Sequence, residues 1–161
     1  VNGEREVLEN GRSPARGPDE AVGSYAPEKP VRRGRTPGVP RNAAAARDAV
    51  VRVLRERFCG GRGEEPAEVV VGDALLVTSE LVTNAVRHGG GLTGFTTEIT
   101  DEGLLLTVSD ASTRPPVTAE RDPAVVTVGG YGWLLVRRLA KRVSVTYLPD
   151  GKHIAALIPL A

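Results

Sequence analysis

The stretch Ala74-Leu-Leu-Val-Thr-Ser-Glu-Leu-Val-Thr-Asn-Ala-Val-Arg-His88 decides what the rest of the chain can be. At about 100° per residue, Glu80, Asn84, Arg87 and His88 fall within roughly 100° of one another on a helix. Leu75, Leu81, Val82, Ala85 and Val86 fill a broad arc on the other side. The spacing therefore predicts a helix buried over most of its circumference and marked by one polar seam. A carboxylate and a carboxamide beside a core are costly unless paired, and their hard oxygens suit Mg2+ or a Mg-bound phosphate. A solvated stripe with a contact between Glu80 and Arg87 would use the same residues.

Toward the N-terminus, Asn42 caps a run in which Ala46, Val50, Leu54 and Phe58 recur every four residues. That run reads as a second amphipathic helix, ended by Gly60, Gly61 and Gly63. The helix with the polar seam then starts at about Pro66 or Asp73 and is closed by the glycines at 89–91. Residues 1–41 are rich in Pro, Gly and charge, with apolar residues too scattered to repay ordering, and read as a flexible tail. The domain is expected over residues 42–161.

Toward the C-terminus, residues 95–100 and 104–109 read as two antiparallel strands around the turn Asp101-Glu102-Gly103. The second strand runs into Asp110. A carboxylate there accepts hydrogen bonds and cannot donate them, which suits an exocyclic amine such as adenine N6, although an Asp at a strand end also serves as a turn residue. Residues 111–128 carry Pro115, Pro116 and Pro123 and form a loop long for a compact domain. Gly129-Gly-Tyr-Gly132 then opens directly into Trp133-Leu-Leu-Val-Arg-Arg-Leu-Ala140, placing backbone N–H groups at a helix entrance as an anion site would, or as a plain hinge would. A last hairpin, residues 143–148 and 153–160, closes the chain around Pro149-Asp150-Gly151. The order helix, helix, strand, strand, loop, helix, strand, strand implies an α/β (α+β) two-layer sandwich with helices on one sheet face.

The bulk numbers exclude several classes. Lys and Arg total 21 against 20 Asp and Glu, so no field of one sign favours nucleic acid or a membrane surface. Cys59 is the only cysteine, which rules out an internal disulfide, and with two histidines it makes no closed zinc site. No apolar run approaches the roughly 18 residues of a membrane span and no targeting signal is evident, so the cytoplasm is the expected compartment. The glycine loop lacks G-x-G-x-x-G spacing after a strand, and Gly151-Lys152 lacks the earlier glycine and following hydroxyl of a Walker A loop.

Taken together, three segments resemble the GHKL ATPase superfamily with its Bergerat-type ATP-binding fold, and most closely its short anti-sigma-factor serine/threonine kinase branch. Ser79-Glu-Leu-Val-Thr-Asn-Ala-Val-Arg-His88 resembles the N box, Val108-Ser-Asp-Ala-Ser112 a glycine-poor first glycine box, and Gly129-Gly-Tyr-Gly-Trp133 the second. The resemblance implies a mostly antiparallel sheet, ATP and Mg2+ as ligands, Asn84 as the Mg2+ ligand, and Glu80 as the general base. It further implies Asp110 on the adenine amine, Gly129, Gly130 and Gly132 around the phosphates, Arg87 and His88 nearby, and residues 111–128 as a lid. His88 also suits a helix C-terminus by its charge alone. The implied function is transfer of the ATP γ-phosphoryl group to a small regulatory protein, with a sigma factor or an anti-sigma antagonist as partner and a homodimer by analogy. A nucleotide-gated binding module without kinase turnover is the alternative. The sequence departs from the branch at Tyr131 for a common arginine, Trp133 for a common leucine, and His153 where the pattern Gly-Lys-Thr is usual. The branch's N-terminal strand is not evident before Asn42.

Overall fold

The computed structural model of the chain describes residues 5–9, 38–58, 66–116 and 131–161. Their order is β1 (Arg5–Glu9), α1 (Ala43–Phe58), α2 (Glu68–His88), β2 (Leu92–Thr100), β3 (Gly103–Asp110), α3 (Tyr131–Leu139), β4 (Arg142–Leu148) and β5 (Gly151–Ile158). The strands form one antiparallel sheet in the order β1-β4-β5-β3-β2. The expected two-layer α+β architecture is therefore present. The glycines at 60, 61 and 63 lie outside the described residues.

One strand, the N-terminal one of the branch, was not evident in the sequence. Arg5–Glu9, inside the segment read as a tail, pairs with β4 from Arg5 opposite Thr146 to Glu9 opposite Arg142 and forms the sheet edge. The pairing partner is more than a hundred positions away in the chain, a contact that local periodicity cannot report.

Local chemistry accounts for the helices. The Asn42 side-chain oxygen accepts the Ala45 N–H at 2.9 Å, the expected N-cap of α1. Arg55 and Arg57 occupy its last turn, where the helix dipole favours cations. At the end of α2, Gly89 N–H donates to the Asn84 and Ala85 carbonyls at 3.1 Å. Gly90 and Gly91 follow with φ of 70° and 117°, a left-handed exit that glycine adopts without penalty.

The core lies between the helices and one sheet face. Ala46, Val50, Val77, Leu81, Val82 and Val136 meet Leu104, Leu106, Val108, Val143, Val145, Ala156 and Ile158, all buried. Each fully buried Leu, Ile or Val contributes roughly 1.5–3 kcal/mol. Thr78 is buried among them, its hydroxyl donating to the Ala74 carbonyl at 2.7 Å. Among the described residues, α2 is long and apolar enough to cross a membrane by length and composition, which corrects the expectation that no segment approaches that size. Here it is a core helix of a two-layer domain. Its expected buried arc is correct for Leu81, Val82 and Ala85 but not for Val86, which is 52% exposed.

Candidate functional site

Two elements, α3 and the end of β3, approach α2 along its polar seam. Glu80 and Asn84 are half-buried on it, one turn apart. Gly132, the second residue of α3, lies so close that a Cβ placed on it would collide with the Glu80 carboxylate oxygen Oε2. At the far end of the same helix a Cβ on Gly89 would stand 2.5 Å from Cγ and 2.6 Å from Cβ of Asp110. Glu80 and Gly89 are about 13 Å apart along the helix axis at 1.5 Å per residue, with Asn84 between them. Glycine thus lets one carboxylate meet the entrance of α3 and another meet the exit of α2.

Asp110 is the last residue of β3 and is 6% exposed. Its Oδ1 accepts two hydrogen bonds, from Lys152 Nζ at 2.9 Å and from the Ser112 backbone N–H at 2.9 Å. Both charged side chains of the pair are 5% exposed. Lys152 also donates to the Ser112 carbonyl at 3.2 Å. The β3–β5 register explains the meeting, since Asp110 stands directly opposite Lys152. Gly151 permits it: a Cβ there would strike the Asp110 carbonyl oxygen.

The remaining expected site residues are distributed unevenly. Arg87 and His88 are exposed at the end of α2. Arg87 lines a shallow groove with Thr83, Val86 and the segment from Arg41 to Ala43, on the side of α1 rather than of α3. Gly129 and Gly130 lie outside the described residues, as do residues 117–128, most of the expected lid. Trp133 is 4% exposed and belongs to the hydrophobic core, whereas its neighbour Tyr131 is 74% exposed. His153 hydrogen-bonds Ser109 through Nδ1 and Oγ at 2.5 Å. Because successive residues on a strand alternate faces, Ser109 and His153 are on the opposite sheet face from Asp110 and Lys152.

Gly89 and Lys152 were missed as site residues. The sequence marks Gly89 only as a helix terminator, and Lys152 only within a failed Walker pattern and beside the departure from Gly-Lys-Thr at His153. The available signal was a lone acid closing an apolar strand, which demands a buried counter-charge.

An antiparallel sheet with helices on one face, and a polar helix seam reaching from a helix entrance to an acidic strand end, define an ATPase domain of the GHKL type. The model of the histidine kinase-like ATPase domain matches residues 36–158, more than half of the chain, and the chain belongs to that family. It is accordingly an ATP-binding domain. No curated protein matches the chain significantly. The residues fit the ligand: Asp110 offers an acceptor-only carboxylate, α2 offers the hard oxygens of Glu80 and Asn84, and α3 opens its N-terminus beside them.

Proposed function

We propose that the chain is a serine/threonine protein kinase of the anti-sigma-factor kind, acting on a small regulatory protein. The observation that carries this reading is the Glu80 carboxylate set against the entrance of α3 at Gly132, one turn from Asn84. Bound Mg-ATP would supply a γ-phosphoryl group with its charge partly neutralised by the metal. Asn84 would hold the Mg2+ through its amide oxygen. The described residues contain no cluster of three His, Cys, Asp or Glu side chains able to hold a metal, so the phosphates would complete the shell, as Mg2+ commonly requires. Asp110 would accept the adenine amine, Gly132 with Gly129 and Gly130 would admit the phosphates, and His88 would serve as a nearby polar group, whereas Arg87, on the α1 side, would stand apart from them. Glu80 would take the proton from the partner's hydroxyl.

Support for a protein acceptor comes from apolar side chains left exposed beside this contact. Tyr131 precedes Gly132, Leu134 follows it at 45% exposure, and Leu76, one turn before Glu80, is 40% exposed. A sigma factor or an antagonist protein would dock there, and a homodimer would follow the branch. A second reading has its own observation: a carboxylate at a helix N-terminus also anchors that helix. In that case Glu80 would tie α3 to α2 and ATP would gate partner binding without turnover.

The two readings part at Glu80→Ala. With Mg-ATP and candidate regulatory partners, mass spectrometry of the products should show transfer reduced by about 10²–10⁴. Calorimetry should show ATP affinity nearly retained. Unaltered transfer would remove Glu80 as the base, and no transfer by the unmodified chain would favour the gated module.

A further inference from the structure

We infer that Lys152 is a positioning residue for recognition of the nucleobase, acting through Asp110. The inference rests on the reading of Asp110 as the residue that meets the base. Burying a carboxylate this deeply is costly unless a cation and hydrogen bonds compensate it. Lys152 supplies the cation at 2.9 Å and is itself only 4% exposed. Both hydrogen bonds that Asp110 makes among the described residues fall on Oδ1, one from Lys152 and one from the Ser112 N–H. Oδ2 is directed toward Gly89, where a Cβ would stand 2.6 Å from it. The clamp therefore fixes one oxygen and leaves the other, beside Gly89, without a hydrogen bond from the described residues.

The consequence is chemical selectivity. With Oδ1 taken up by the Lys152 ammonium and the Ser112 N–H, Asp110 meets a ligand as a carboxylate acceptor. Such a group rewards a purine carrying an exocyclic amine and penalises one that offers a carbonyl or nothing, because a buried polar group is then left unpaired. Lys152 also reaches the Ser112 carbonyl at 3.2 Å, so the same ammonium holds the residue two positions after Asp110. Orientation of the base-reading carboxylate thus depends on a side chain two strands away in sequence order and directly opposite in register. His153, the neighbouring departure from the branch pattern, does not share this role because it is bonded to Ser109 on the other sheet face.

The test compares ATP with purine riboside triphosphate, which lacks the amine, by titration calorimetry at fixed Mg2+. The full chain should prefer ATP by about tenfold or more, the worth of one hydrogen bond to a charged group. In Lys152→Met that preference should collapse toward unity while purine riboside triphosphate binding changes little. Should Lys152→Met fail to fold, Lys152→Gln replaces it, and the 15N-lysine ammonium signal of the unaltered chain gives an independent readout. That signal should shift with ATP and much less with the analogue. Equal losses for both nucleotides, or an undiminished preference in a folded variant, would overturn the inference, as would an ammonium signal that answers both ligands alike. Failure of the unaltered chain to bind ATP would instead overturn the reading of the site.

Discussion

Strand β3 carries an ion pair at each end, and the two look alike by distance. At its start, Glu102 in the β2–β3 turn meets Lys141 at 2.9 Å and Arg142 at 3.1 Å. At its end, Asp110 meets Lys152 at 2.9 Å. Their surroundings differ: the Lys141 and Glu102 side chains are 53% and 39% exposed, those of Lys152 and Asp110 both 5%. Water screens the first pair, so it adds little. The second stands in low dielectric, where desolvation is costly and breaking the pair is costlier still. A buried pair is weak evidence for stability, and hydrophobic residues would fill the same space at least as well.

The largest expected effect breaks the buried pair. Asp110→Ala leaves Lys152 buried without its anion and should cost about 3–5 kcal/mol in chemical denaturation. A loss below 1 kcal/mol would mean that the end of β3 is as wet as its start. Next comes the glycine that admits the carboxylate. Gly89→Ala puts a methyl group against Cβ and Cγ of Asp110, atoms that cannot swing aside as the tip of a long side chain can. It should cost about 1–3 kcal/mol and weaken ATP binding in the same variant. Full stability with undiminished ATP affinity would show that Asp110 moves freely. The smallest effect belongs to Glu102→Gln, which should leave the denaturation midpoint essentially unmoved, least of all at high salt. The hydrogen bond and charge of Lys141, with the charge of Arg142, hold the Glu102 carboxyl below its usual range. Any stabilisation from it is accordingly present above the ordinary carboxylate pKa and lost as pH falls through the lowered value. A clear midpoint shift near neutral pH would place this pair in the same class as the buried one.

The same contrast separates what is legible in the sequence from what is not. The α1 cap at Asn42, the apolar recurrence of Ala46, Val50 and Leu54, and the left-handed glycines after His88 are local signals, and each is realised in the fold. The two hairpins were legible because their turns, around Glu102 and Asp150, join segments adjacent in sequence. Strand β1 was not, since Arg5–Glu9 has no pronounced apolar pattern and is held by pairing with β4. Of the proposed site, the shared helix face of Glu80 and Asn84 was legible from helical spacing and the position of Asp110 from the apolar strand before it. Gly89 and Lys152 were not, because their meaning depends on which atoms stand opposite them. The exposure of Val86 had the same origin: periodicity marks an apolar arc but does not say where the neighbouring helix ends.

The most direct test of the central claim is titration calorimetry of the chain with ATP, with and without Mg2+, repeated on Asn84→Ala. The account predicts that Mg2+ strengthens ATP binding and that Asn84→Ala loses this increment while keeping metal-free binding. An Asn84→Ala variant that gains as much from Mg2+ as the unaltered chain would contradict it.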